Sequence, residues 1–244
     1  MPRMPLELRL AAVLILACRA APALAATPAT LPDTLEQRLA PCIACHGSKE
    51  KADAFFPRIA GKPAGYLYNQ LLNFRDGRRH YPMMTYMVDH LPDAYLREIA
   101  EYFSSLHPPY PPSTGGSAAS ATEAMQQRGK ELVLHGDTGK KIPACVACHG
   151  EQLTGVAPAI PGLIGLPPDY INAQFGSWKN KVRSAHAPDC MGEIARRLSN
   201  DDVAAVSGWL GRQTPDANAR PAATIAMPLP LQCGSVPAQQ GEQK

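Results

Sequence analysis

No stretch of this chain is both apolar and long enough to cross a bilayer, which takes about 20 residues, so a permanent transmembrane helix is not expected. No block of basic residues marks a nucleic-acid surface, and no amphipathic stretch marks a helix lying on a membrane. Charge of either sign is close to balance, at +3 over 244 residues. A docking patch for a partner must therefore be local. Convincing alternation of apolar and polar residues is missing too, which argues against strands and against a βαβ unit.

What is present begins with an export pattern. Arg3 and Arg9 precede a short apolar run, Leu10 to Ala17, and Ala23-Leu24-Ala25 follows as a small-residue cleavage site. Residues 1–25 read as a signal peptide, placing a mature chain from about Ala26 outside the cytoplasm, in the periplasm of a bacterium. Without Arg3, Arg9, Arg19 and Glu7 the net charge falls to +1. Ile15-Leu16-Ala17-Cys18 loosely resembles a lipoprotein box, which would instead lipidate Cys18 and tether the protein to a membrane.

The cysteines carry the chemistry. Cys42-Ile43-Ala44-Cys45-His46 recurs as Cys145-Val146-Ala147-Cys148-His149, and each copy is followed by glycine. Cys-x-x-Cys-His is the attachment pattern of a c-type haem. Two thiols one helical turn apart can both add to the vinyl groups on one porphyrin edge. The next residue, His46 or His149, then supplies an axial imidazole. A single zinc held by both pairs is the rival reading, but the 103 residues from Cys42 to Cys145 are long for a zinc ribbon and leave the histidines unexplained. A redox dithiol is a second rival and lacks its usual βαβ setting. The sequence thus predicts two covalently bound haem c groups. Of seven cysteines, Cys190 and Cys233 remain as an even pair. An oxidising compartment would join them, folding the Pro-rich tail beside the second haem, or leave two thiols.

The chain is also two copies of one design. Shifting by 103 or 104 residues overlays Pro57 on Pro161, Gly61 on Gly165, Pro63 on Pro167, Tyr66 on Tyr170 and Gln70 on Gln174. After a three-residue insertion, Met84 overlays Met191, Leu91 overlays Leu198 and Tyr102 overlays Trp209. Between the copies, His107 to Ala121 reads HPPYPPSTGGSAASA, a stiff and then flexible linker. The reading is two domains, 31–107 and 122–212, joined by a linker over 108–121 and followed by a tail over 213–244. Each segment is too short to build a sufficient apolar core unaided, and a buried porphyrin supplies the missing mass. Helical spacing marks Tyr66 to Asp76, Asp93 to Leu106, Asn172 to Asn180, Arg128 to Leu134 and the segment after Ser199 or Asn200. Thr34 to Leu39 looks like a truncated copy of the helix preceding the second motif. The fold class is all-α.

An electron-transfer haem takes a second axial ligand, and a thioether raises the potential relative to two imidazoles. The first half offers Met83, Met84 and Met87, while the second offers Met191 ahead of its tail. Met84 lies seven residues before Leu91, as Met191 lies seven before Leu198, so the repeat selects Met84 and Met191. His80, His90 and His186 lie nearby without counterparts in the other copy and read as solvated residues. A Cys190 thiolate is a further rival. Pro57 and Pro161 follow their motifs at similar intervals, and their carbonyls are expected to fix the imidazole rings.

With CIACHG and CVACHG, FPRIAG and IPGLIG, FRDGRR and WKNKVR, and MTYMVDHLPD and MGEIARRLSND, the chain resembles the dihaem cytochrome c4 family over residues 34–107 and 122–212. The resemblance implies two tandem cytochrome c-like domains related by pseudo-twofold symmetry, with haem edges close at their interface. It also implies His46 with Met84, and His149 with Met191, as iron ligands. The implied function is a monomeric periplasmic electron carrier, soluble or peripherally membrane-associated, serving an oxidase, a reductase or a quinol-oxidising complex. Two alternatives stand beside it: a cytochrome subunit of a dehydrogenase or oxidase complex, and a dihaem enzyme such as a peroxidase or thiosulfate dehydrogenase. The short first helix, the apolar LTGVAPAIPG after the second motif, Cys190 and the tail depart from the family pattern.

Overall fold

The computed structural model describes residues 33–47, 56–110 and 122–237. The signal peptide, Cys18, most of the linker and the last seven residues lie outside them. By its contacts the chain divides into a unit ending at Arg38 and a second unit, Leu39–Lys244. The first holds one short helix, α1 (Leu35–Arg38), with Gln37 N–H donating to Thr34 Oγ1 and Arg38 paired with Asp33.

Helices dominate the second unit. In its first half these are α2 (Ala40–His46), α3 (Ala64–Arg75), α4 (Pro82–Val88) and α5 (Asp93–Ser105). In its second half α6 (Glu123–Leu134), α7 (Val146–His149), α8 (Pro168–Lys179), α9 (Cys190–Arg197) and α10 (Asn200–Leu210) follow. The all-α expectation holds with one correction. Gly155–Val156 and Ile160–Pro161 form a two-residue antiparallel pair, β1 and β2, inside the segment that carried no strand pattern. Two residues per strand are too few for alternation to show, and Gly155, at φ +96, lets the partner backbone approach where a Cβ would stand 2.6 Å from Gly162 N.

Helix starts follow capping chemistry more than apolar spacing. Helix α6 begins at Glu123, well before Arg128, because the Thr122 side chain accepts from Met125 N–H. Helix α8 begins with Pro168 at its first position, where a missing N–H costs nothing. Helix α10 has a capping box between Ser199 and Asp202.

Two matched helix pairs frame the halves. In the first, α5 buries Leu96, Ile99, Ala100 and Phe103 as one stripe against α3, with Leu67 and Phe74 facing it. Each such fully buried side chain contributes about 1.5–3 kcal/mol. In the second, α6 crosses α10 over Leu132, Val133, Val206 and Leu210. Gly129 allows that crossing, since a Cβ there would stand 2.1 Å from the Ala205 carbonyl oxygen. Ile171, Phe175, Ala195 and Leu198 extend this core toward α8 and α9.

The segment past Arg212 runs back across the second half. Ala222 exchanges backbone hydrogen bonds with Gly155 and Ala157. Cys233 is joined to Cys190 in a disulfide, and Gly234 N–H donates to the Pro188 carbonyl. The Ser235 carbonyl accepts from Asn69 in α3, so this segment spans both halves.

Candidate haem-binding sites

Both Cys-x-x-Cys-His motifs sit on short helices, α2 and α7, that turn each histidine inward. His149 Nδ1–H donates to the Pro161 carbonyl at 2.7 Å, and His46 Nδ1–H donates to the Pro57 carbonyl at 3.0 Å. A proton held on Nδ1 leaves the Nε2 lone pair free to bind a metal. Burial pushes the His149 pKa down, the Pro161 carbonyl opposes this, and the charge of Lys62 adds to it. The imidazole is thereby kept neutral, the form that ligates.

The thiols are unlike those of a redox dithiol. Burial, with a smaller push from Cys148, raises Cys145 to about 12. Burial also raises Cys42 and Cys148. Reactive pairs have at least one thiol lowered. Nor do the four cysteines form one tetrahedral centre, because among the described residues no three His, Cys, Asp or Glu side chains converge.

In the second half a cavity of about 170 Å³ opens beside the motif. Cys145, Cys148 and His149 line it together with Met191. Much of its remaining wall is apolar, including Leu132, Ile171, Phe175 and Leu198 from the core and Leu229 and Leu231 from the returning tail. Asp189 caps α9 by accepting from Gly192 N–H, which fixes the helix that starts with Cys190 and Met191.

Where the cavity meets the first half, the walls become cationic. Residues 78–80 and 182–184 pair antiparallel, placing Arg79 opposite Arg183. Both are separated by 104 positions, as are Gln70 and Gln174, and Tyr66 and Tyr170. Equivalent residues meeting one another is what a twofold relation produces. Arg79 donates to Gln70 Oε1 and Gln174 Oε1 at 2.9 and 2.7 Å, and Arg183 donates to the same two oxygens at 3.0 and 2.6 Å. Arg79 also donates to the Tyr170 hydroxyl, and Arg183 to that of Tyr66. Arg183 is 6% exposed, and burial, followed by the like charge of Arg79, pushes it down to about 10. Among the described ion pairs neither arginine has a carboxylate.

These residues fit a haem. A buried guanidinium at Arg183 beside a half-buried one at Arg79, without a carboxylate, is costly unless an anion arrives, and porphyrin propionates are such anions. The buried indole Nε1–H of Trp178, which lines the cavity, has no protein acceptor and is suited to the same group. Two thiols, an inward Nε2 and a thioether complete the donor set expected for haem c.

The first-half residues are placed as follows. Met84 is half-buried on α4, whereas Met83 is 62% exposed and Met87 is half-buried. His80 and His90 are exposed; His186 is half-buried, which departs from its reading as a solvated residue. Cys190 is in its disulfide and unavailable as a thiolate ligand. The paired arginines were missed in the sequence although both close a quoted repeat, FRDGRR and WKNKVR. Their shared 104-residue shift was the available signal. Lys62 was missed too, and it reaches from the first half to donate to the Gly162 carbonyl at 3.2 Å.

No protein-family model matches the chain. It is 39% identical to the thiosulfate dehydrogenase electron acceptor of Thiomonas intermedia over 176 residues, which is 71% of this chain and 79% of the relative. It is 32% identical to cytochrome c4 of Pseudomonas aeruginosa over 178 residues, covering 72% of this chain and 85% of that one. Among solved structures, reduced recombinant cytochrome c4 from Pseudomonas stutzeri matches with a TM-score of 0.59 at 28% identity, over 72% of this chain and 95% of that one. Repeated motifs, a twofold contact and a cavity built for a porphyrin agree with these likenesses: the chain belongs to the dihaem cytochrome c4 family and binds two covalent haem c groups.

Proposed function

We propose that this protein is a periplasmic electron carrier that accepts electrons from a thiosulfate-oxidising dehydrogenase and releases them toward an oxidase or reductase. Its iron ligands in this reading are His46 with Met84 in a domain over 31–107, and His149 with Met191 in a domain over 122–212. The observation that carries the reading is the second cavity. It is lined by a locked imidazole, by Met191, by many apolar side chains and, toward the first half, by cations and amides. His149 and Met191 would both be used in holding the haem, and the polar residues of the cavity, among them Lys62 and Arg183, are suited to its anionic substituents. The half-buried Met84 beside an exposed Met83 supports the matching choice in the first half.

Bound haem supplies a one-electron iron couple at each site, and the protein supplies the rest. Pro57 and Pro161 carbonyls hold the ring orientation, the apolar walls exclude water, and the Arg–Gln ring joins the halves. The dehydrogenase as donor is supported by the 39% likeness to a protein of that role. Export is supported by the N-terminal pattern, and among the described residues no helix is long and apolar enough to cross a membrane.

The test mixes oxidised holoprotein with thiosulfate and a catalytic amount of thiosulfate dehydrogenase. Both haems are expected to become reduced, and neither should respond to thiosulfate alone. Rapid carbon monoxide binding to the reduced protein at neutral pH would mark an open iron and overturn the carrier reading.

A further inference from the structure

Beside the second cavity stands a cation that the repeat does not copy. Arg79 and Arg183, Gln70 and Gln174, and Tyr66 and Tyr170 occur as matched pairs, whereas the repeat sets Lys62 against Leu166. Lys62 follows Gly61, whose N–H donates to the Phe103 carbonyl at the end of α5. From there its side chain crosses to the other half. Its ammonium donates to the Gly162 carbonyl, one residue past the carbonyl that holds His149, and it lines the second cavity with Cys148, His149 and Arg183. An ammonium has three N–H groups, and Gly162 accepts one. Among the described ion pairs Lys62 has no carboxylate partner.

We propose that Lys62 is a cross-domain charge that selectively favours the reduced state of the second haem, drawing the shared electron from the first site toward the second. The inference rests on the ligand reading given above. Reduction adds one negative charge to a site, and a fixed cation in a water-poor wall stabilises that state more than its oxidised form. The exchange is one electron between two sites of the same chain: the first haem is oxidised as the second is reduced, with no external co-reactant. The arginines are copied by the repeat, one from each half, whereas Lys62 is a cation with no counterpart in the other copy. Burial, opposed by Tyr170 and reinforced by Arg58, lowers Lys62 to about 8, which leaves it largely protonated at neutral pH. Lys62 is a positioning residue acting through charge and touches neither axial ligand.

The test is a haem-resolved redox titration of the holoprotein by NMR. Resonances are assigned through contacts of the second haem with Trp178 and Leu231. In Lys62→Gln, which keeps a hydrogen-bond donor and removes the charge, the constant for electron transfer from first to second haem is expected to fall about tenfold. That equals about 59 mV for a one-electron couple, appearing on the second haem alone. Lys62→Arg should restore the parent value. Unchanged potentials, equal movement of both haems, or failure of Lys62→Arg to restore the value would each overturn the proposal. Two haems by pyridine haemochrome and two methionine–iron absorption bands in Lys62→Gln keep the ligand reading intact whichever way the potentials fall. Loss of either in the parent protein overturns that reading and the proposal with it.

Discussion

Replacing both Cys190 and Cys233 by alanine asks how much the returning tail does for the second site. The bond closes a loop with a sequence separation of 43 residues. Loop-closure entropy for that length corresponds to about 4 kcal/mol, if the unfolded chain is otherwise free. The folded variant keeps Ala222 paired with Gly155 and Ala157, the Gly234–Pro188 bond and the Asn69–Ser235 bond. None of those is lost with the sulfurs, so the expected destabilisation is about 2–4 kcal/mol. For a chain of this size that lowers the melting temperature by about 4–16 °C. A local effect should accompany the global one, since Cys190 immediately precedes Met191 at the start of α9. Urea unfolding should be followed in parallel by far-ultraviolet circular dichroism and by the methionine–iron absorption band. In the parent the two curves are expected to coincide. In the variant the iron band should disappear at lower urea than the helices. Coincident curves in the variant, with a melting temperature within about 1 °C of the parent, would refute the view that the tail holds the methionine side of the site.

Two further substitutions test the frame around the motifs. Gly129→Ala gains about 1 kcal/mol in helix propensity but puts a methyl 2.1 Å from the Ala205 carbonyl oxygen and 2.8 Å from Trp209 Cβ. Against backbone that cannot rotate away the overpacking falls in the upper part of its usual range, about 2–3 kcal/mol, giving a net loss of about 1–2 kcal/mol by denaturant unfolding. A variant as stable as the parent would contradict the close α6–α10 crossing. Asp202 is 4% exposed and accepts from Arg128, Lys140 and Ser199 N–H. Burial would raise its pKa, but the bonds from Lys140, the Ser199 backbone and Arg128 outweigh that and hold it well below the carboxylate range. Its contribution is therefore complete above the unfolded value of about 3.9 and lost as pH falls through the lower folded value. Asp202→Asn should cost about 2 kcal/mol at pH 7, with the gap to the parent closing only below about pH 4. A gap independent of pH down to acid unfolding would rule out the charge as its source.

The fold class and the haem chemistry were legible because each rests on short-range rules. One turn of helix spaces Cys145 from Cys148, and a stripe of Leu96, Ile99 and Phe103 needs only a 3.6-residue period. Proline carbonyls at Pro57 and Pro161 were within reach of the same logic, since the repeat set them at similar intervals after each histidine. The β1–β2 pair was not legible, because two-residue strands carry no period and their close approach depends on the positive φ of Gly155. Nor was the reach of Lys62, a property of how two halves sit together, which one-dimensional spacing does not encode. The Arg79–Arg183 pairing stands between these cases. Its 104-residue shift was in the sequence, but only the contact shows that equivalents meet.

That contact also constrains what can distinguish the two haems. A residue pair related by the twofold offers the same charge and the same hydrogen bond to each side. Arg79 and Arg183 come one from each copy, and Gln70 and Gln174 accept from both. Such residues can join the halves and shorten the path between them, yet they leave the equilibrium between the sites untouched. A difference in potential has to come from groups the repeat does not copy. Among the described groups beside the second cavity are Lys62, set against Leu166, and the strap from Leu229 to Val236 held by Cys233. The first adds charge and the second removes water. Both stabilise the lower-charged, reduced iron there. If the second haem proved to be the lower-potential site in the parent, neither group could be the dominant influence on the pair.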